Sequence, residues 1–64
     1  MISLNGKQSD LAGQSLEAIL INEGFVLDRI AVGLNGQVAP KNDYSATILK
    51  DGDVVEVFHF MGGG

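Results

Sequence analysis

A single short amphipathic segment sets the strongest limit on how this chain can fold. Leu16, Ile19 and Leu20 recur at the i, i+3, i+4 spacing of one helical stripe. A stripe of about three large side chains cannot stabilise a helix by itself, because most helical stability in proteins comes from packing an amphipathic face. The helix must therefore lie across one face of a β-sheet.

Both ends of this helix carry recognisable signals. Ser15 is a good N-cap, and we interpret it as a cap rather than as a nucleophile. The helix should end at Glu23, because Gly24 suits the left-handed position that follows a helix. Phe25 can then fold back onto Leu20 in a Schellman motif.

The rest of the chain has the pattern of short strands and turns. Asn5-Gly6 and Asn35-Gly36 are favoured pairs for two-residue type I′ hairpin turns. We expect a helical turn at 41–44, capped by Asn42 or Asp43. The predicted strands are about 1–5, 7–11, 30–34, 37–39, 47–49 and 54–60, with a hairpin turn at 50–53.

This order of elements predicts an α+β protein. Two strands, one helix and then two or three strands form a mixed sheet of four to five strands, with one main helix packed on one face. Placing the last strand centrally, beside the first, gives a ubiquitin-like β-grasp. We assign residues 1–61 to this domain and 62–64 to a flexible glycine tail.

Composition narrows the class of function. The 64 residues include no cysteine, which excludes thiolate metal sites and a cysteine nucleophile and favours a cytoplasmic protein. Eight carboxylates against four lysines and arginines give a net charge of −4, so we expect no nucleic-acid partner and favour a partner with a basic surface. No signal-peptide pattern or long apolar run appears, and we expect no membrane contact.

No catalytic motif is visible, and we expect a protein that is not an enzyme. The segment 33–36 lacks the spacing of a dinucleotide-binding fingerprint, and no phosphate-binding loop is present. His59 has no evident nucleophile to activate, so we interpret it as a polar residue at a strand end near the sheet edge. The segment 51–53 lacks the other ligands of a calcium loop, so we expect no metal and no bound cofactor.

The last strand combines apolar and polar residues in strict alternation. Glu56 marks the even-numbered face as the solvated one, so the odd-numbered face should meet the helix. Phe58 and Phe60 would then be aromatic residues on the open face, as in a docking patch. The alternative is that both aromatic rings complete the core and that His59 and Met61 lie outside.

Three consecutive glycines, Gly62, Gly63 and Gly64, follow this strand. Ordering each would cost about 1–2 kcal/mol with no side chain to offset the loss, so we expect them to be mobile. Lacking Cβ atoms, they can enter a narrow cleft and carry the carboxylate of Gly64 about 10 Å beyond the fold. The alternatives are glycines that are not native, or a frayed end without a function.

Four segments occur together at a distinctive separation: 4–6 (Leu-Asn-Gly), 31–40 (Ala-Val-Gly-Leu-Asn-Gly-Gln-Val-Ala-Pro), 49–53 (Leu-Lys-Asp-Gly-Asp) and 59–64 (His-Phe-Met-Gly-Gly-Gly). Over nearly the full length, the chain thereby resembles the ThiS family, the sulfur carriers of thiamine biosynthesis. The resemblance implies a ubiquitin-like β-grasp fold and a protein that carries sulfur instead of catalysing.

The resemblance also implies a reaction sequence and a set of partners. An E1-like adenylating enzyme of the ThiF type, using ATP and magnesium, would activate the carboxylate of Gly64. Sulfur from a donor enzyme would replace AMP to leave a thiocarboxylate, which would give its sulfur to a thiazole synthase of the ThiG type. Gly62 and Gly63 would enter each active site with Gly64. The residues expected to bind the partners' surfaces are Phe58, Phe60 and Met61.

Three alternatives remain open. The first is the small subunit of molybdopterin synthase, a MoaD-like sulfur carrier with the same ending and chemistry, although the short chain and the segment 35–40 favour the thiamine carrier. The second is a ubiquitin-like protein modifier conjugated to lysines through Gly64. The third is an inert β-grasp interaction module.

Overall fold

The computed structural model describes residues 1–60, which form a five-stranded mixed sheet with one α-helix on one face. The strands are β1 (Ile2–Leu4), β2 (Lys7–Ser9), β3 (Ile30–Leu34), β4 (Gln37–Ala39) and β5 (Val54–His59), and the helix is α1 (Leu16–Asn22). The sheet order is β2-β1-β5-β3-β4, with β5 parallel to β1 and antiparallel to β3. The predicted ubiquitin-like β-grasp, with the last strand in the centre, is confirmed.

Both predicted hairpin turns are present and have the expected backbone. Asn5 and Asn35 have φ values of 49° and 52°, and the glycine after each has a φ of 84°. Two consecutive positive φ angles define the type I′ turn, whose twist matches that of the flanking strands. Leu4 therefore pairs with Lys7, and Leu34 pairs with Gln37.

The helix begins and ends where its sequence signals predict. The Oγ atom of Ser15 accepts a hydrogen bond from the N–H of Ala18 at 3.1 Å. Gly24 has a φ of 89°, and the N–H of Phe25 donates to the carbonyl of Leu20 at 3.0 Å, which is the long hydrogen bond of a Schellman motif. The carbonyl groups of Leu20 and Ile21 in the last turn are thus satisfied within the chain, the second by the N–H of Gly24.

The core lies between α1 and the covered face of the sheet. The three residues of the helical stripe are at most 1% exposed, and burying each contributes about 1.5–3 kcal/mol. Val55 and Val57, on the odd-numbered face of β5, belong to the same core cluster. The buried apolar residues are Ile2, Leu4, Leu16, Ile19, Leu20, Ile30, Val32, Tyr44, Leu49, Val55 and Val57.

The segment 47–49 is not a strand of the sheet, and this prediction was wrong. Its backbone instead bonds to the loop that precedes α1: the N–H of Leu49 donates to the carbonyl of Gln14 at 2.9 Å. Ser15 and Ile48 form a single isolated bridge. A short apolar run indicates an extended, half-buried segment, but it does not specify which groups form hydrogen bonds with the backbone of that segment.

Two predicted turns differ in detail from the structure. The chain does reverse at 50–53, but this turn connects a loop to β5 and does not join two paired strands. The helical turn is a 3₁₀ helix at Lys41–Asp43, preceded by Pro40 and without a side-chain cap, so capping by Asn42 or Asp43 was wrong. A second 3₁₀ helix at Leu27–Arg29 leads into β3.

Candidate functional site

The central strand has one buried face and one open face, as the alternation predicts. Val55 and Val57 are 0% and 7% exposed. Phe58 and Phe60 are 57% and 63% exposed on the opposite side. The alternative in which both aromatic rings complete the core is therefore wrong, whereas their binding to a partner stays a prediction.

Neighbouring strands leave these aromatic residues uncovered. On β3, Ala31 pairs with Phe58 and Gly33 pairs with Glu56, so the side chains beside β5 on this face are small. On β4, Val38 pairs with Gly33 and is 81% exposed. We call the resulting surface the open-face patch, and its large apolar members are Val38, Val54, Phe58 and Phe60.

Backbone pairing extends through the last described residue. The N–H of Phe60 donates to the carbonyl of Arg29 at 3.0 Å, beyond the pairing of His59 with Ile30. On the helix side, the His59 ring lies 5.4 Å from the Phe25 ring, tilted by 40°. His59 is exposed and is the last residue of β5, as predicted for a polar residue at a strand end, but β5 is the central strand and not an edge strand.

The remaining predicted site residues, Met61, Gly62, Gly63 and Gly64, lie outside the described residues. The boundary between a domain at 1–61 and a tail at 62–64 falls in the same segment. Their roles stay predictions. What the structure does place is the strand that leads to them, which is central in the sheet and hydrogen-bonded as far as Phe60.

Two asparagines hold β5 in register, a role that sequence reasoning missed. Asn5 donates its N–H to the carbonyl of Val55 at 2.9 Å, and its Oδ1 accepts from the N–H of Val57 at 2.8 Å. Asn35 donates its N–H to the carbonyl of Val54 at 2.8 Å, and its Oδ1 accepts from the N–H of that same residue at 2.8 Å. Each side chain thus extends the hydrogen-bond ladder beyond the point where the neighbouring strand turns away.

Asp53 connects the second of these turns to the start of β5. It is only 8% exposed, and its Oδ1 accepts from Nδ2 of Asn35 at 3.0 Å while its Oδ2 accepts from the N–H of Lys50 at 2.8 Å. The hydrogen bond from the Lys50 backbone, followed by that from the Asn35 amide, lowers the pKa of the Asp53 carboxyl. Sequence reasoning took this carboxylate as a plain turn residue.

Within residues 1–60, no three histidine, aspartate or glutamate side chains come together in a way that could hold a metal ion. No helix in that part of the chain is long and apolar enough to cross a bilayer. The fold instead arranges the notable features along β5, with the polar contacts of Asp53 at its start and the exposed Phe58 and Phe60 of the open-face patch at its other end.

Comparison with known proteins gives consistent matches along the chain. The sequence profile of the ThiS family matches residues 2–64. The sulfur carrier protein ThiS of Thermus thermophilus is 39% identical over 64 residues, with 100% of each chain covered. The crystal structure of the thiamine biosynthesis protein ThiS from Geobacter metallireducens superposes with a TM-score of 0.77 at 34% identity, covering 98% of this chain and 97% of that one.

A longer protein also contains a similar segment. The thiazole synthase of Magnetococcus marinus is 41% identical over 64 residues, which are 98% of this chain but 20% of that protein. The chain thus spans about a fifth of the length of this relative. The profile match and the end-to-end relatives agree with the β-grasp fold, and this chain belongs to the ThiS family.

Proposed function

We propose that this chain is a sulfur carrier of thiamine biosynthesis, and that it acts as a protein co-substrate instead of an enzyme. The observation that carries the proposal is the end-to-end match to a sulfur carrier protein ThiS, 39% identical with both chains fully covered. The position of the aromatic residues adds support, because Phe58 and Phe60 are exposed on the strand that leads to Gly64.

The reacting group in this proposal is the carboxylate of Gly64. A carboxylate is a poor electrophile, so one of its oxygens must first become a leaving group. Attack of that oxygen on the α-phosphorus of ATP releases pyrophosphate and forms an acyl adenylate. Hydrosulfide delivered by the sulfur donor enzyme then attacks the carbonyl carbon, AMP departs with the electron pair of the C–O bond, and a thiocarboxylate remains.

An activating partner must supply the groups that stabilise this chemistry. Phosphoryl and adenylyl transfer depend on magnesium and on positioned cationic groups, and these belong to the E1-like enzyme of the ThiF type in our proposal. The carrier contributes reach: Gly62 and Gly63 have no Cβ atoms, so they fit a cleft that excludes larger residues.

The open-face patch is the proposed docking surface for these partners. Phe58 and Phe60 offer large exposed apolar area, and Glu56 adds a carboxylate beside them on the same face. Two successive enzymes must reach one atom and then release the carrier, which favours a small interface of less than about 1,200 Å². The net charge of −4 favours partners whose matching surface is apolar with a basic rim.

The proposed acceptor of the sulfur is a thiazole synthase of the ThiG type. A segment 41% identical to this chain lies within a longer protein that is named thiazole synthase. Such an arrangement supports a functional connection between the carrier and that enzyme. It also favours the thiamine pathway over the molybdopterin pathway.

Intact-mass spectrometry tests the carrier proposal directly. The purified chain is incubated with a ThiF-type enzyme, ATP, magnesium and a sulfur donor. We expect the chain to gain about 16 Da, located on its C-terminal peptide, because sulfur replaces one oxygen of the carboxylate. Reactions without ATP are the control. Isopeptide adducts on lysine would instead support a protein modifier, and an unchanged mass would support an inert module. Adding thiazole synthase together with its small-molecule substrates, which take up the sulfur, should then return the carrier to its original mass.

A further inference from the structure

Both hairpin turns contain the dipeptide in which asparagine is chemically least stable. In Asn-Gly, the glycine nitrogen can attack the side-chain amide carbon of asparagine with little hindrance, because the attacking residue has no Cβ. A succinimide forms and ammonia leaves; water then opens the ring to aspartate or isoaspartate. Asn5 and Asn35 are both exposed at such steps.

The amide nitrogens of these two asparagines have different surroundings. Asn5 uses its Oδ1 to accept from Val57, and its Nδ2 donates to no other group within residues 1–60. A carboxylate can accept the same hydrogen bond, so aspartate at this position keeps every contact. At Asn35, by contrast, Nδ2 donates to Oδ1 of the buried Asp53 at 3.0 Å.

We propose that Asn35 is a deamidation site whose reaction releases the start of β5, whereas the same reaction to aspartate at Asn5 leaves the fold intact. Hydrolysis at Asn35 replaces the –NH₂ donor with an oxygen, so two carboxylates face each other across the 3.0 Å that the hydrogen bond spanned. Like charges at that distance cannot both remain ionised without a large penalty. Lys50 is the cation whose charge acts on the Asp53 carboxylate. The main-chain N–H of Lys50 already donates to Oδ2 of Asp53.

The strand start depends on this contact. Asn35 also accepts the hydrogen bond of the Val54 N–H, so a shift of its side chain away from Asp53 removes an anchor from the first residue of β5. The isoaspartate product goes further, because it adds a methylene to the main chain of a two-residue turn whose geometry sets the register of β3 and β4.

The chemical part of the proposal is tested by ageing the chain in warm, mildly alkaline buffer. Trypsin separates the two sites into the peptides 1–7 and 30–41, and each should become about 1 Da heavier as the amide is hydrolysed. Asn22 and Asn42 are the internal controls, because glycine follows neither of them. A peptide 30–41 that stays unmodified after 1–7 has reacted would overturn the assignment of Asn35.

The structural part is tested with the products made directly. Asn35→Asp should lower the Tm at neutral pH by about 5 °C or more, and Asn5→Asp should change it by less than about 2 °C. The deficit of Asn35→Asp should shrink near about pH 4, because one carboxyl of the new pair then holds a proton and donates in place of the amide. Equal Tm values for the two variants at neutral pH, or a deficit that does not change with pH, would overturn the proposal.

Discussion

The Oδ1 atom of Asn5 accepts the hydrogen bond of the Val57 N–H across 2.8 Å, although 52 positions separate the two residues. Val57 lies on the β5 face that meets the helix, two residues beyond the last pairing of that strand with β1. The first turn of the chain thus completes the hydrogen bonding of its last strand.

This contact predicts the response to substitution at position 5. Asn5→Ala should lower the free energy of unfolding by about 1–3 kcal/mol, because it leaves the part-buried Val57 N–H without a partner. Backbone strain should lower it further, because alanine tolerates the φ of 49° at this position poorly. Asn5→Gly keeps the backbone conformation and isolates the loss of the acceptor. Urea denaturation measures both; wild-type stability in both variants would show that water replaces the amide at no cost.

Asp53 should contribute to stability only while it is ionised. Since its pKa in the folded chain is lowered from the ordinary value of 3.8, its contribution is complete above that value and is lost as the pH falls through the lower folded pKa. Asp53→Ala should cost about 2–3 kcal/mol at neutral pH and should flatten the loss of stability in acid. Asp10→Ala, at an exposed carboxylate, is the matched control. Urea denaturation as a function of pH measures both effects, and an acid profile unchanged in Asp53→Ala would contradict this account.

The open-face patch should matter for binding and little for folding. Phe58→Asp and Phe60→Asp should each weaken binding to a ThiF-type enzyme by about tenfold or more, while the Tm falls by only a few degrees, because both side chains are exposed. Val57→Asp, on the buried face of the same strand, should unfold the domain instead. Titration calorimetry with thermal unfolding separates the two effects. Undiminished binding in both phenylalanine variants would place the docking surface elsewhere.

Removal of Gly64 should abolish activation without affecting the fold. The truncated chain ends one residue earlier, so its terminal carboxylate falls about 3.5 Å short of the adenylating centre of the partner. The measurement is formation of the acyl adenylate by pyrophosphate release, with circular dichroism as the control for folding. A truncated chain that is activated at the wild-type rate would refute the assignment of the reacting atom.

The helix should be the most sensitive element of the core. Leu20→Ala should cost about 2–5 kcal/mol, because Leu20 is 0% exposed and the cavity left behind adds to the lost burial. A small domain has only about 5–15 kcal/mol in total, so this loss is a large fraction of the free energy of unfolding. Ile21→Ala, one residue further along the helix and 58% exposed, should stay within about 0.5 kcal/mol. Similar unfolding midpoints for the two variants would contradict the observed orientation of α1.

Local features of this chain were predictable because they depend on neighbouring residues alone. Ser15 and Gly24 bound the helix as expected, since caps are set by the conformation and hydrogen bonding of a few adjacent residues. The two Asn-Gly pairs specify type I′ turns for the same reason. Alternation in β5 assigned its buried face correctly, because a charged residue such as Glu56 is rarely placed in a core.

Tertiary structure alone decided which distant groups these local elements meet. The segment 47–49 has a strand-like composition, yet its backbone is satisfied by the loop before α1 and not by the sheet. Asn35 and Asp53 bond across 18 positions, and nothing in either local sequence indicates the other. The physical reason is that a short segment sets its own dihedral angles and its own apolar face, whereas the partner of a hydrogen bond is set by strand order and register, which require the whole sheet to form.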